Sequence, residues 1–228
     1  MIIDVITLFP EMFSGVLSES MLKRAQESGA LEMHLHNLRD YSRDKHKKVD
    51  DRPFGGGPGM VIRPEPVFDA VAAIRGDDTA VPLIFLSPQG DRLCQGVAEG
   101  LTRHERIILL CGHYEGIDER VRAELVTMEI SIGDYVLTCG EIPAMVLIDT
   151  VARLIPGVLG DADSLCEESF QNSLLEYPQY TRPRVYKGLA VPDVLLSGDH
   201  ERIDRWRKAQ ARKRTKERRP ELLEPNAL

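Results

Sequence analysis

The chain has 228 residues, a formal net charge of −7 and a hydrophobic content of 43%. This length allows one large domain, or a domain of about 160 residues with a smaller one. The composition excludes global disorder, and no apolar run approaches the roughly 20 residues of a membrane span. The start, MIIDVITLFPEMF, lacks a basic region and carries Asp4, so a signal peptide is not predicted.

The four cysteines, at positions 94, 111, 139 and 166, contain no CxxC pair. None has a histidine at the spacing typical of zinc ligands. The cysteines therefore predict reduced thiols in a cytoplasmic protein and no zinc site.

Short apolar strands alternate with helices along the first two thirds of the chain. The strands are predicted at Ile2–Leu8, Leu31–Leu35, Val81–Leu86, Ile107–Leu110 and Thr127–Ile132, with a further extended segment at Tyr135–Thr138. The helices are predicted at Glu11–Ser28, Pro64–Arg75, 93–101, 117–125 and Ile142–Ile155. This alternation predicts an α/β fold with a mainly parallel sheet.

Between the second strand and the helix at Pro64, residues 37–59 are polar, glycine-rich and without clear periodicity. A loop of this length in a compact domain is usually functional or disordered. Its six basic residues fit phosphate binding and simple solvation equally well. The GGGPG run is not a nucleotide-binding P-loop, because Gly-Lys-Ser/Thr does not follow it.

The carboxyl-terminal part of the chain is basic, in contrast to the rest. The segment Asp199–Arg219 has ten Lys or Arg and four Asp or Glu, a balance of +6, which leaves −13 for the remainder. A helix is predicted here, with Trp206 as a packing anchor. This asymmetry of charge along the chain favours contact with a polyanion, although most runs of charged residues simply form a solvated helix face. The predicted organisation is a domain at 1–159, a linker at 160–176 and a small helical domain at 177–228.

Three glycine-bearing turns follow predicted strands: LSPQG at 86–90, CGHYEGIDERV from Cys111, and SIGDYVLTCGEIPAM from Ser131. In open α/β sheets, ligands bind outside the carboxyl ends of the strands, and glycine lets the backbone approach a ligand closely. Three ordinary strand-to-helix turns are the alternative interpretation. A Rossmann cofactor site is not supported, because no GxGxxG follows the first strand.

These motifs resemble those of the bacterial tRNA (guanine-37 N1)-methyltransferases of the SPOUT superfamily. Further matching blocks are DDRPFGGGPGM at 50–60, IPGVLG at 155–160, EYPQYTRPRVYKG at 176–188 and VPDVLLSGDHERIDRWR at 191–207. The resemblance covers nearly the whole chain. It implies a deep trefoil knot, S-adenosyl-L-methionine as methyl donor, the tRNA anticodon arm as substrate, and a cytoplasmic homodimer, not bound to membranes, whose subunits share each active site.

The resemblance also assigns binding residues. The implied cofactor contacts are Leu86, Ser87, Pro88, Gly112, Tyr114, Glu115, Ile132, Gly133, Asp134, Tyr135, Val136, Leu137, Gly140 and Pro143. The implied tRNA contacts are His46, Asp50, Ser197, Gly198, His200, Arg202, Arg205 and Lys208. Two positions depart from the family pattern. Cys139 replaces a glycine, which narrows the pocket, and Asp199 replaces an asparagine, which weakens one contact.

Methylation of guanine at N1 requires removal of the N1 proton, which a carboxylate can accept while a cation near O6 stabilises the developing negative charge. The resemblance places Glu168 as the base, where the family has aspartate, and Arg153 as the cation. Alternatives from the residues themselves are a solvated linker acid for Glu168 and an i, i+4 pair with Asp149 for Arg153. Glutamate is one methylene longer than aspartate, which changes the reach and angle of its carboxylate. Either the linker is repositioned to compensate, or Glu167 or a water takes part.

The predicted function is methylation of guanine N1 at position 37 of tRNA. Alternatives are a related SPOUT enzyme with another target nucleotide, a non-catalytic RNA-binding protein, and a small-metabolite enzyme. The sequence does not indicate which tRNAs are modified or whether Mg²⁺ assists.

Overall fold

The computed structural model describes residues 1–159 and 168–224, apart from the side chain of Gln171. The chain forms two compact units, Met1–Gly160 and Asp161–Leu228. Part of the predicted linker, including Cys166 and Glu167, lies outside the described residues.

The first unit is built on a five-stranded sheet. The described strands of this unit are β1 (Ile2–Thr7), β2 (Glu32–Asn37), β3 (Asp50–Asp51), β4 (Val61–Ile62), β5 (Leu83–Arg92), β6 (Arg106–Cys111) and β7 (Met128–Ser131). Among these strands, the short β3 and β4 pair only with each other, and the other five form the sheet. The sheet has the order β2-β1-β6-β5-β7, and all its neighbouring strands are parallel. The predicted α/β fold with a mainly parallel sheet is therefore confirmed.

The helices of the first unit connect these strands. They are α1 (Ser14–Leu17), α2 (Ser20–Glu27), α3 (Pro64–Arg75), α4 (Gln95–Leu101), α5 (Glu119–Glu124) and α6 (Glu141–Ala152), with short 3-10 helices at Pro10–Phe13 and Leu38–Tyr41. The predicted helix over Pro64–Arg75 is confirmed. It begins at Pro64 because proline is favourable at the first position of a helix.

The prediction of one continuous helix from Glu11 to Ser28 is wrong. The backbone is extended at Glu19 and left-handed at Ser20, with φ of +52°, so the segment is divided into separate short helices. The break is stabilised by the Gln26 side chain, whose Nε2 donates to the carbonyl oxygens of Leu17 at 2.7 Å and Leu22 at 3.1 Å. A side chain therefore satisfies a carbonyl at the end of α1 that the interrupted helix leaves without its usual donor.

Two hydrophobic layers cover the two faces of the sheet. Alternate residues of each strand point to opposite faces, so Ile3 and Val5 join one buried cluster with residues of α2, α4 and α6. Ile6, on the other face, joins a second cluster with residues of α3 and α5. Burial on both faces explains the continuous apolar sequence of Ile107–Leu110.

The loop at 37–59 and the extended segment predicted at Tyr135–Thr138 both differ from expectation. The polar loop at 37–59 contains a 3-10 helix and β3, which pairs with β4, and its Leu38 and Val49 are buried. Tyr135–Thr138 is not a strand. Gly133, with φ of +150°, turns the backbone before it, and the segment's apolar residues are largely exposed at the third glycine turn.

The second unit is organised around helix α7 (His200–Arg218). It also contains the hairpin of β8 (Val185–Tyr186) and β9 (Leu189–Ala190) and 3-10 helices at Gln171–Ser173, Asp193–Leu196 and Pro220–Leu223. The side chain of Asp199 caps α7 by accepting from the Arg202 backbone N–H at 3.1 Å. The predicted basic helix is confirmed.

The small core of the second unit depends on polar and aromatic contacts to α7. Thr215 is fully buried, and its Oγ1 accepts from the Leu175 backbone N–H at 2.8 Å. The guanidinium of Arg207 lies 4.7 Å from the centroid of the Tyr177 ring. Trp206 contacts Tyr180 with ring centroids 6.4 Å apart, in agreement with its predicted role as an anchor.

Among the residues that the structure describes, every helix is too short or too polar to cross a membrane.

Candidate active site

A cavity of about 400 Å³ lies at the carboxyl ends of β5, β6 and β7. Its walls come from the three glycine-bearing turns, at 86–89, 112–116 and 131–140, together with residues of the adjoining strands and helices. Because the three strands are neighbours and parallel, their carboxyl ends meet at one edge of the sheet. The three turns that the sequence places after strand ends therefore meet at one cavity.

The first wall is a detour in β5. Leu86 pairs with Ile130, and Asp91 pairs with the same residue, so the intervening residues 87–90 leave the sheet and return to it. A Cβ at Gly90 would overlap the backbone of Glu129, which explains why glycine stands at the return. The detour brings Ser87, Pro88 and Gln89 to the cavity.

The second wall follows β6. Tyr114 has a left-handed backbone, with φ of +58°, which is uncommon outside glycine and occurs preferentially at functional sites. Its ring meets the edge of His113 with centroids 4.5 Å apart. The buried Nδ1 of His113 has no hydrogen-bond partner within the described part of the chain. This nitrogen can therefore hydrogen-bond to a bound molecule.

The third wall is pressed against the second. The Gly140 backbone N–H donates to the Gly112 carbonyl at 2.7 Å. A Cβ at position 140 would lie 2.6 Å from the Gly112 nitrogen and 2.8 Å from the Cys111 Cα. Both obstacles are backbone atoms, so a larger residue at 140 must displace one wall of the cavity.

The third turn is anchored from behind by Glu141, the first residue of α6. Its carboxylate is fully buried, and Oε1 accepts from the Thr7 hydroxyl at 2.6 Å. Burial raises the pKa of the neighbouring Cys139 thiol, and Glu141 adds to this effect. Burial also raises the pKa of the Cys111 thiol well above its ordinary value. Both thiols are therefore kept protonated and are poor nucleophiles.

A cation also reaches the cavity. Arg122, on α5, lines it, and Nη1 donates to the Gln89 side chain at 2.9 Å. The guanidinium lies 5.3 Å from the centroid of the Phe85 ring. The guanidinium also pairs with Glu129, with Nε 3.0 Å from Oε1, and Glu115 adds a carboxylate to the lining. The cavity thus combines apolar surface with charged side chains of both signs and several backbone polar groups, which suits a polar organic molecule.

All but one of the residues predicted to contact the cofactor line this cavity. They are Leu86, Ser87, Pro88, Gly112, Tyr114, Glu115, Ile132, Gly133, Tyr135, Val136, Leu137, Gly140 and Pro143. Asp134 is not among the lining residues, and its exposed carboxylate pairs with Arg92. Cavity residues absent from the predicted set include Gln89, His113, Arg122 and Cys139. Three of these lie inside the recognised turns, so the motif itself was the signal that could have found them.

The predicted catalytic residues belong to different units. Arg153 follows the last residue of α6, and its backbone N–H donates to the Asp149 carbonyl at 3.2 Å. Glu168 is partly buried in the second unit, where it lines a cavity of about 710 Å³ with residues such as Asn172 and Glu176. Their roles stay predictions.

The predicted tRNA contacts occupy exposed or partly exposed positions in both units. In the first unit, His46 is in an exposed turn, and its backbone N–H donates to the Asp44 carboxylate at 2.7 Å, whereas Asp50 begins β3. A Cβ at Gly59 would overlap the side chain of Glu115, so the glycine-rich segment reaches the cavity wall. Phe54, in the same segment, is fully exposed.

In the second unit, Ser197, Gly198 and His200 precede or begin α7, and all three are exposed. On α7, Arg205 and Lys208 pair with acids one turn earlier, at 3.7 Å and 2.8 Å. Exposed i, i+4 pairs of this kind are weak, so their cations remain able to contact an anion. Arg202, one turn before Arg205, is exposed as well.

Comparison with known proteins places these features in a family. The family model described as tRNA (Guanine-1)-methyltransferase TrmD matches residues 1–225. A tRNA (guanine-N(1)-)-methyltransferase of Moorella thermoacetica is 61% identical, over 97% of this chain and 89% of the relative. Proteins of the same name from Dictyoglomus turgidum and Halalkalibacterium halodurans are both 58% identical, over 99% of this chain and 91% and 92% of their own lengths.

Proposed function

The chain belongs to the tRNA (guanine-1)-methyltransferase family, and we propose that it transfers the methyl group of S-adenosyl-L-methionine to N1 of guanine 37 of tRNA, next to the anticodon. The observation that carries this proposal is the cavity where the three turns of the family motif meet. A related enzyme with another target nucleotide is a weaker candidate, since the curated relatives share the guanine-N1 name.

The residues of the cavity fit the proposed methyl donor. The close contact at Gly140 and Gly112 leaves a cradle bounded by backbone, and Leu137 and Pro143 add apolar surface. Nδ1 of His113, which has no partner among the described residues, and the backbone groups of the turns offer hydrogen bonds for a nucleoside. When bound, S-adenosyl-L-methionine supplies an electrophilic methyl group on a sulfonium centre.

Glu168 and Arg153 act on the guanine. Glu168 accepts the N1 proton, which frees the N1 electron pair to form the new bond to carbon. Arg153 stabilises the negative charge that develops at O6. N1 would accept the methyl group that bound S-adenosyl-L-methionine supplies, and Glu168 would hold the N1 proton until it passes to solvent.

The tRNA is bound through its phosphates by the second unit and by the glycine-rich segment of the first. Helix α7 carries the whole +6 balance of Asp199–Arg219, and counterion release makes such a segment a phosphate-binding surface. His46 and Asp50 lie in the same loop region as the glycine-rich segment, which reaches the cavity wall at Glu115. The anticodon arm is the part of the substrate that spans these contacts, with residues 160–176 as the linker between the two domains.

The family fold adds three finer proposals: a deep trefoil knot, a homodimer with shared active sites, and a cytoplasmic location, where tRNA is modified. The backbone contact between the second and third turns is consistent with a knot. A second copy of the chain would cover an exposed apolar stripe beside the third turn. This stripe consists of Tyr135, Val136, Ile142 and Val146, which are 41–83% exposed.

The decisive assay maps the product. Purified protein is incubated with labelled S-adenosyl-L-methionine and an unmodified tRNA transcript, and the methylated nucleoside is identified after digestion. We expect 1-methylguanosine at position 37 and none in a transcript with adenine there. Methylation of another nucleotide would support the alternative of a related enzyme with a different target. Binding of tRNA without any calorimetric signal for the cofactor indicates a non-catalytic RNA-binding protein.

The shared active site has its own test. A Glu168→Gln chain is mixed with a chain disabled in the cofactor cavity, and formation of mixed dimers is verified by tagged co-purification. We expect partial activity, because one site of the mixed dimer then has both an intact cavity and an intact Glu168. Verified mixed dimers without activity would show that each site is built within one chain.

A further inference from the structure

A cluster of potential metal ligands lies at the β1–β2 edge of the sheet and contains none of the residues that line the cavity. Asp4, on β1, is fully buried and is directly opposite His34 on β2. His34 and His36 are two residues apart on β2, so their side chains project from the same face. One ligand atom from each of Asp4, His34 and His36 falls within 4.8 Å of the others.

The separations resemble those in a metal site. Nδ1 of His34 lies 3.3 Å from Oδ1 of Asp4, and Nε2 of His36 lies 2.8 Å from the same oxygen. Ligand atoms about 2.0–2.1 Å from a tetrahedral zinc ion are about 3.3 Å apart. The first distance already fits, and the second needs an opening of about half an ångström, which side-chain rotation provides.

Each of the three side chains has a second partner on its outer side. Nε2 of His34 is 2.9 Å from Oε1 of Glu32, and Nδ1 of His36 is 3.0 Å from the Tyr41 hydroxyl. Metal-binding histidines almost always make such a hydrogen bond through the distal nitrogen, which fixes the tautomer and turns the other nitrogen toward the metal. Arg106 Nε donates to Oδ2 of Asp4 at 2.7 Å, which leaves Oδ1 facing the histidines.

We propose that Asp4, His34 and His36 bind one divalent transition-metal ion, with Zn²⁺ as the best fit. Two imidazoles and one carboxylate suit zinc better than Mg²⁺, which prefers oxygen ligands. The His34 side chain is 42% exposed, which gives the ion access from solvent. Bound metal would join the edge strand β2 to β1 by bonds beyond the backbone ladder.

The competing arrangement contains only protons. In it, the buried Asp4 carboxylate is neutralised by Arg106 and by a protonated histidine, and the outer contacts of Glu32 and Tyr41 have no role in metal binding. The two arrangements differ in what a metal titration detects. They also differ in the role of Glu32, which only the metal site requires as an orienting partner.

The test uses the full-length protein after treatment with a chelator and exhaustive dialysis. Zn²⁺ is titrated by competition with a chromophoric chelator, and Co²⁺ is used as a spectroscopic probe of the same site. We expect one bound ion per chain, visible Co²⁺ bands of tetrahedral intensity without thiolate charge-transfer absorption, and no competition from Mg²⁺. Absence of binding, or a thiolate band that assigns the ion to cysteine, would overturn the proposal.

Four single variants assign the ligands. His34→Gln and His36→Gln should each weaken Zn²⁺ binding by more than the roughly 10- to 100-fold that loss of an outer partner costs, and Glu32→Gln should fall within that range. His104→Gln, at an exposed histidine outside the cluster, should bind as the wild type does. Equal Zn²⁺ affinity in all four variants would contradict the proposal that Asp4, His34 and His36 bind the ion. If a ligand variant fails to fold by circular dichroism, the Co²⁺ spectrum of the wild type and the affinity of Glu32→Gln decide the matter.

Discussion

The two units of the molecule are stabilised and used in different ways. Met1–Gly160 has two hydrophobic layers around a parallel sheet, and its candidate site is shaped by backbone at glycine turns. Asp161–Leu228 has a small core, in which α7 is held by the buried Thr215 and by ring contacts, and it presents its charges to solvent. A site of the first kind should respond to changes of shape, and one of the second kind to changes of charge and salt.

The largest effect is expected at Glu168, the residue of the second unit that we propose as the general base. Glu168→Gln should lower turnover by about two to four orders of magnitude, because loss of a general base typically costs that much. Single-turnover methylation with saturating tRNA measures it. Cofactor affinity should be unchanged, and Glu168→Asp should keep activity, since it restores the family's residue. Full activity in Glu168→Gln would exclude it as the base and favour Glu167 or a water.

The next effect concerns the shape of the first site. Gly140→Ala should weaken cofactor binding by about 100-fold and lower Tm, because the added Cβ meets the backbone of Cys111 and Gly112 and overpacking typically costs about 1–3 kcal/mol. Calorimetry and a thermal melt measure both effects. The matched control is Gly100→Ala on α4, where a Cβ meets nothing within 4 Å. Normal cofactor affinity in Gly140→Ala would mean that the cofactor binds elsewhere.

A smaller effect should follow from removal of charge on α7. The double variant Arg202→Gln/Arg205→Gln should weaken tRNA binding by about tenfold and reduce the salt slope by about one for each phosphate that is no longer neutralised. Filter binding across a salt series measures the slope. The control removes two exposed charges from the first unit, as Lys23→Gln/Arg24→Gln on α2. An unchanged slope in the α7 variant would show that this helix face is only solvated.

The smallest effect tests the thin core of the second unit. Thr215→Val keeps the shape of the side chain but removes the acceptor for the Leu175 N–H, so the free energy of unfolding should fall by about 1 kcal/mol. Thr150→Val is the control in the first unit. There the exposed hydroxyl donates to the Val146 carbonyl of its own helix, and the change should stay within about 0.5 kcal/mol. Urea unfolding measures both variants, and equal losses would remove this distinction between the units.

The sequence predicted best where one physical signal decided the outcome. The continuous apolar run at Ile107–Leu110 indicated β6, because both faces of the sheet are buried. Pro64 and an apolar stripe indicated α3. The basic run indicated α7, and strand ends followed by glycine indicated the cavity.

The remaining features depend on contacts between distant residues. The break before Ser20 requires the Gln26 side chain to reach Leu17, and the short pair of β3 and β4 forms across a glycine-rich loop. The detour in β5 depends on the fit of Gly90 against Glu129. The cluster at Asp4 was not predicted, because Asp4 comes opposite His34 only through the pairing of β1 with β2. Local periodicity contains none of this information.

The first unit is proposed to bind the cofactor through the shape of its cavity, whereas the second unit is proposed to act through its charges. The most direct test of this difference is calorimetric titration of S-adenosyl-L-methionine into Gly140→Ala and into Arg202→Gln/Arg205→Gln, each at low and high salt. If the first unit holds the cofactor by shape, Gly140→Ala should lose binding at both salt concentrations. The arginine variant should bind as the wild type does, with little dependence on salt. Normal binding in Gly140→Ala, or absence of binding in the arginine variant, would contradict the account.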